Sequence, residues 1–132
     1  MITIPDTRGF ARWHVWIEME DDFIGKCGIT ERYLEVIGII EFIDFPDMDM
    51  EVRKEEKISR VESGKAFFEV RSPVSGRITE VNRLLETAPS IINADPYGEG
   101  WIFKIDVKEP NELYELMDEI GYNSFMDDGG DI

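Results

Sequence analysis

Few residues in this chain are equipped for chemistry. It holds one histidine, His14, and one cysteine, Cys27. A single imidazole assembles neither a His-based zinc site nor a histidine relay. A single thiol excludes an intrachain disulfide framework and argues against a thiolate metal site. Cys27 falls in the apolar stretch 24–29, the setting of a buried, inert thiol. Asp47-Met48-Asp49-Met50-Glu51 has the acid spacing that opens a calcium loop. Val52 then stands where that loop needs glycine, and no bidentate glutamate follows at the right distance. Glu18, Glu20, Asp21 and Asp22 read more simply as a solvated strand end, and Met48 and Met50 as loop packing.

Lys65 is the remaining candidate. It follows Ser63-Gly64 and sits between two short strand-like runs, inside Val61-Glu62-Ser63-Gly64-Lys65-Ala66-Phe67-Phe68-Glu69-Val70. A lysine at a hairpin tip is an amine held in solvent on a rigid base. On spacing alone, a surface lysine in a turn is the better account of it. A phosphate-binding loop does not, because that pattern needs Gly, four residues, then Gly-Lys-Ser/Thr. Ser59 and Ala66 fail both requirements.

The elements that must position this lysine are mostly strands. Segments 13–19, 24–28, 39–45, 58–63, 66–70, 76–81 and 101–107 read as short strands. Thr30 is an N-cap candidate for a helix over 31–37 that gathers Tyr33, Leu34 and Ile37 on one face, with Gly38 as its stop. Segment 51–56 is a solvated, charge-rich turn, and 87–97 is a loop. Leu113, Leu116, Met117 and Ile120 recur at helical spacing, which predicts an amphipathic helix over about 110–120, with Pro110 in its first turn and Gly121 at its end. Residues 127–132 read as a frayed acidic tail. No internal repeat and no dividing linker is visible, so the expectation is one domain over 1–132.

Composition narrows the partners. The 132 residues carry 29 Asp or Glu against 14 Lys or Arg, a formal net charge of −15. Such a chain repels a phosphate backbone and an anionic membrane surface alike, which argues against nucleic-acid and membrane binding. The 42% hydrophobic content, with 8 Phe, 4 Tyr and 3 Trp, is globular. No apolar run approaches the ~20 residues that span a bilayer, and the first residues do not read as a signal peptide. A cytoplasmic protein is the expectation.

Several separated motifs, in order, resemble the glycine cleavage system H-protein family. Glu62-Ser63-Gly64-Lys65-Ala66, followed by Ser72-Pro73-Val74-Ser75-Gly76 and Val81-Asn82, is similar to its lipoyl-attachment region. Gly28-Ile29-Thr30 resembles the segment before its first helix. Asn93-Ala94-Asp95-Pro96-Tyr97-Gly98-Glu99-Gly100-Trp101 resembles its Asn-x-Asp-Pro-Tyr-Gly-x-Gly-Trp signature. The likeness spans about residues 11–126. It implies a mostly β fold, a lipoyl-domain barrel-sandwich hybrid of two antiparallel sheets with short flanking α-helices. It implies lipoate on Lys65, with Glu62, Ser63, Gly64, Ala66 and Glu69 as the hairpin and its recognition residues. Gly64 would allow a sharp tip through a positive φ. It further implies a monomeric carrier and not an enzyme, loaded by a lipoate ligase or lipoyl transferase. Its partners would be dihydrolipoamide dehydrogenase, aminomethyltransferase and glycine decarboxylase, which exchange an aminomethyl group and electrons with the swinging arm.

The sequence departs from that family at three places. Gly64 replaces the usual valine. Glu69 replaces the usual aspartate at the acidic cleft position. Trp13-His14-Val15-Trp16 stands where the family has Ser-His-Glu-Trp, whose serine and glutamate help hold the aminomethylated arm in a cleft. An arm cleft of Trp13, His14, Val15 and Phe67 is therefore expected to suit a cationic amine less well. This opens an alternative: an H-like lipoate-binding protein serving sulfur oxidation beside heterodisulfide-reductase-like subunits. A second alternative is a β-rich binding module that carries no lipoate.

Overall fold

The computed structural model describes residues 7–130. Among these residues, nine strands and three short α-helices follow one another: β1 (Gly9–Phe10), β2 (Val15–Met19), β3 (Ile24–Ile29), α1 (Glu31–Ile37), β4 (Ile40–Asp44), β5 (Glu51–Val52), β6 (Lys57–Ser63), β7 (Phe67–Arg71), β8 (Gly76–Val81), α2 (Ile91–Ala94), β9 (Phe103–Val107) and α3 (Glu119–Asp127). They form a six-stranded sheet, ordered β1-β2-β3-β9-β8-β5, and a three-stranded sheet, ordered β4-β6-β7. Every pairing is antiparallel. The mostly β, two-sheet architecture expected from the sequence is the one observed.

Alternation explains how the two sheets close on each other. Ile17, Cys27, Ile105 and Ile78 of the larger sheet and Ile40, Ile43, Val61 and Val70 of the smaller one belong to a single buried cluster. Strand β2 is covered on both faces. Val15 and Ile17 face that cluster, while Trp16 turns to a second one with Phe10, Tyr122 and Met126 beneath α3.

Helix α1 follows its local signals. The Thr30 hydroxyl accepts the Tyr33 N–H at 3.3 Å, Leu34 and Ile37 are buried, and the Gly38 N–H donates to the Leu34 carbonyl at 2.9 Å. Gly38 has φ +89°, a conformation that side chains other than glycine rarely adopt.

The C-terminal segment corrects the expectation of one helix over 110–120. A 3-10 turn covers Pro110–Glu115, the chain extends at Leu116, and α3 begins only at Glu119. Two backbone hydrogen bonds between Phe10 and Met117, at 2.8 and 2.9 Å, hold residue 117 in strand-like pairing and interrupt the helix. Asp118 then caps a new helix, accepting the Gly121 N–H at 2.7 Å, so Gly121 lies in a first turn and not at an end. The periodic apolar set is divided accordingly: Leu113 and Leu116 join the main core, Met117 joins the second, and Ile120 is 81% exposed. Asp127 closes α3 and pairs with Arg32 at 2.9 Å, so the acidic tail starts later than expected. Residues 131–132 lie outside the described residues.

Two smaller corrections have the same origin in distant contacts. Glu51–Val52 pairs with Gly76–Arg77 and buries Val52 instead of remaining a solvated turn. The segment expected to be a loop contains α2 because Ile92 is drawn into the core. Helix α2 also supplies a clamp. Asn93 Nδ2 donates to the Gly38 carbonyl at 2.9 Å, and Asn93 Oδ1 accepts the Ile40 N–H at 2.8 Å. Asn93→Ala leaves both backbone groups without these partners. We expect a loss of about 2 kcal/mol, read as a lowered midpoint in urea unfolding.

Candidate functional site

The β6–β7 hairpin closes in the tightest way available. Glu62 pairs with Phe67, and the Ser63 N–H donates to the Ala66 carbonyl at 2.8 Å. Gly64 and Lys65 alone form the loop. The Ser63 hydroxyl replaces the missing ladder partner. It accepts the Ala66 N–H at 3.1 Å and the Lys65 N–H at 3.3 Å, and lies 2.5 Å from the Ile37 carbonyl, to which it donates. One side chain thus satisfies the turn and fastens it to the end of α1. Lys65 is exposed, and its stem leans towards Gly38; a Cβ added to Gly38 would stand 3.3 Å from Lys65 Cε.

Gly64 differs from expectation. Its φ is not positive, and a Cβ there would meet only Glu41, at 3.4 Å, an ordinary contact. The turn therefore does not require glycine, and the valine usual in the related family fits. Gly64→Val is expected to fold with an unchanged thermal midpoint.

The hairpin has two unlike faces. Inward, Phe68 packs on Tyr33 of α1, with ring centroids 4.6 Å apart, and Tyr33 stacks flat on His14 at 4.1 Å. Outward, Phe67 is 59% exposed beneath the Arg60 guanidinium, 4.1 Å from its ring. Glu62 stands next to Arg60 at 4.0 Å. Glu69 is held by Lys57 at 3.1 Å and Arg71 at 3.9 Å, and the hydrogen bond from Lys57 is the main cause holding its carboxyl below the usual range.

The four residues expected to form an arm cleft are thus not brought together. Val15 is wholly buried in the core and presents nothing to an arm. Phe67 faces outward, and Phe68 occupies the inner position instead. His14 is buried, with φ +71°, and its Nδ1 lies 2.8 Å from the Tyr122 hydroxyl. That hydroxyl lies 2.7 Å from the Thr30 hydroxyl. This chain of polar groups ties the entrance of β2, the N-cap of α1 and α3 together. Trp13 packs half-buried against the core beside Arg12 and Lys54.

Sequence reasoning did not assign roles to Asn93, Tyr33 or Tyr122. Asn93 carried a signal through its motif and Tyr33 through the apolar face of α1, but the contacts of Tyr33 with His14 and Phe68, and of Tyr122 with His14 and Thr30, cross long sequence separations.

The remaining candidates have structural partners. Burial pushes the Cys27 thiol well up. Asp49 pairs with Arg77 at 2.7 Å. Among the described residues, no group of His, Cys, Asp and Glu could hold a metal ion. Among those residues, too, no helix is long and apolar enough to cross a membrane.

Burial also pushes the Tyr122 phenol up to about 12, against about 10 in water. The folded chain therefore holds this proton more tightly than the unfolded one. The resulting stability is full below pH ~10 and is lost as pH rises towards 12. Urea midpoints measured from pH 9 upward should fall more steeply in wild type than in Tyr122→Phe.

The fold thus presents a two-sheet β body with Lys65 exposed on a two-residue turn. A profile of the family described as Glycine cleavage H-protein matches residues 8–129. The glycine cleavage system H protein of Thermotoga maritima is 40% identical over 116 residues, 88% of this chain and 93% of that one. That of Rhodospirillum rubrum is 41% identical over 117 residues, 89% of this chain and 93% of that one. The crystal structure of a glycine cleavage system H protein from Mycobacterium marinum superposes with a TM-score of 0.81 at 30% identity, covering 94% of this chain and 99% of that one. The chain belongs to the glycine cleavage H-protein family, and its role is that of a lipoyl carrier of the glycine cleavage type. The relatives do not favour the sulfur-oxidation alternative.

Proposed function

We propose that Lys65 is the lipoylated residue and that the chain is a cytoplasmic, monomeric, non-catalytic component of the glycine cleavage system. The carrying observation is the hairpin tip. It holds a primary amine in solvent, with no ion-pair partner among the described residues, on a turn whose Lys65 and Ala66 N–H groups donate to the Ser63 hydroxyl. An amine so placed can reach an acyl donor, and forming the amide abolishes its charge. Attached there, lipoate supplies a dithiolane that exchanges electrons and accepts a substrate fragment.

The chain's own residues position the arm. Ser63 fixes the turn, Gly38 leaves room for the lysyl stem, and Asn93 holds the Gly38–Ile40 segment beneath it. Tethering raises the local concentration of the reactive group at each partner. Those partners are a lipoate ligase or lipoyl transferase, glycine decarboxylase, aminomethyltransferase and dihydrolipoamide dehydrogenase. Intact-mass analysis of the protein purified from its own organism should show one lipoyl adduct, absent in Lys65→Arg. Unmodified Lys65 in cells that lipoylate other proteins would overturn the reading.

A further inference from the structure

The outer face of the three-stranded sheet is uneven in a way its register makes clear. Phe42 of β4 pairs with Glu62 of β6, which pairs with Phe67 of β7. Residues paired across strands project to the same side, their Cβ atoms about 5 Å apart. These three form one outward row immediately below the Gly64-Lys65 turn. Both rings are open to solvent, Phe42 at 52% and Phe67 at 59%. A bulge between Ile40 and Phe42 sends Glu41 outward as well, beside Gly64. The next row, Asp44–Arg60–Glu69, is wholly charged. Exposed aromatic surface on this face is thus confined to the end that carries Lys65, and acids are interleaved with it. Neither ring joins a buried apolar cluster, and the Arg60 guanidinium covers only one side of Phe67. Such a patch beside a reactive group is an interaction surface.

We propose that the row Phe42–Glu62–Phe67 is the surface read by the enzyme that attaches lipoate to Lys65. The proposal rests on Lys65 being the lipoylated residue. Before attachment the reacting atom is Nζ, at the end of a short stem. An enzyme acting on it must close over the turn and against the residues beside it. After attachment the reacting sulfurs lie a whole acyl chain further out, and later partners need not bury the sheet. In the attachment step, Nζ bonds to the carbonyl carbon of lipoate activated as an acyl adenylate. The bond from that carbon to the phosphate oxygen breaks, AMP leaves, and the amine gives up a proton; nothing is oxidised or reduced. The complementary enzyme wall is an apolar slot for the two rings with a cation opposite Glu62 and Glu41. The net charge of −15 favours that cation.

The test is lipoylation in vitro of unmodified full-length protein by a purified lipoate ligase with lipoate and ATP, followed by intact mass. Phe42→Ala and Phe67→Ala should each lower kcat/KM for the protein substrate about tenfold, at an unchanged thermal midpoint. Phe67→Leu, which keeps apolar bulk, should recover most of the rate. Ile120→Ala, which removes a still more exposed apolar residue on α3, should leave the rate at wild type. Wild-type rates in both Phe→Ala variants would overturn the proposal. So would a loss of rate accompanied by a change in sedimentation, which would assign the patch to a second copy of this chain. Failure of wild type to be modified, or modification elsewhere than Lys65, would instead overturn the reading of Lys65 itself.

Discussion

The Ser63 hydroxyl, donating at 2.5 Å to the Ile37 carbonyl, joins the two parts of the molecule that matter most. Ile37 is the last residue of α1, where a carbonyl has no further helical turn to accept from. Ser63 is the last residue of β6, where a two-residue turn leaves N–H groups to satisfy. One hydroxyl answers both needs, so the tip cannot rotate independently of the helix end. Asn93 repeats the logic one step further out, binding the Gly38 carbonyl and the Ile40 N–H. The lysine is therefore mobile only beyond its own backbone. A carrier gains from that division, because the base is fixed while the arm sweeps.

The parts of this arrangement that are local were legible in the sequence. Thr30, Tyr33, Leu34, Ile37 and Gly38 announce α1 by capping and spacing, and the structure places its ends there. The hairpin and Lys65 at its tip follow from strand-like runs on either side of Ser63-Gly64. The parts that depend on distant pairing were not legible. Leu113 to Ile120 has the period of one helix, yet Phe10, more than a hundred residues earlier, captures Met117 and divides it. Val52 lies in a run of charges, and only its pairing with Gly76 shows that it is core.

The site shows the same limit more sharply. A resemblance transfers residue types, but the face each side chain takes comes from register. Phe67 and Phe68 are neighbours of one type, and alternation sends one to solvent beside Arg60 and the other onto Tyr33. His14 belongs to a motif associated with the arm. Here its ring stacks on Tyr33 and joins Tyr122 and Thr30 in a buried polar chain. Its ring meets the hairpin at Phe68, with centroids 6.4 Å apart, and α1 at Tyr33.

Charge is distributed consistently with a carrier that must release its partners. The ion pairs are side chains with substantial exposure, such as Lys57–Glu69, Arg32–Asp127 and Arg77–Asp49. Exposed pairs of this kind contribute little to stability and are weakened by salt. Stability rests on the shared apolar cluster between the sheets, and the surplus of acids is left free to shape encounter. Long-range attraction raises association rates more than it lengthens residence. Persistent binding would need apolar area, and on the outer face of the three-stranded sheet that area is limited to the rings beside Lys65. An acidic body whose three-stranded sheet shows only a small aromatic patch beside Lys65 is suited to meeting partners quickly on that face and releasing them.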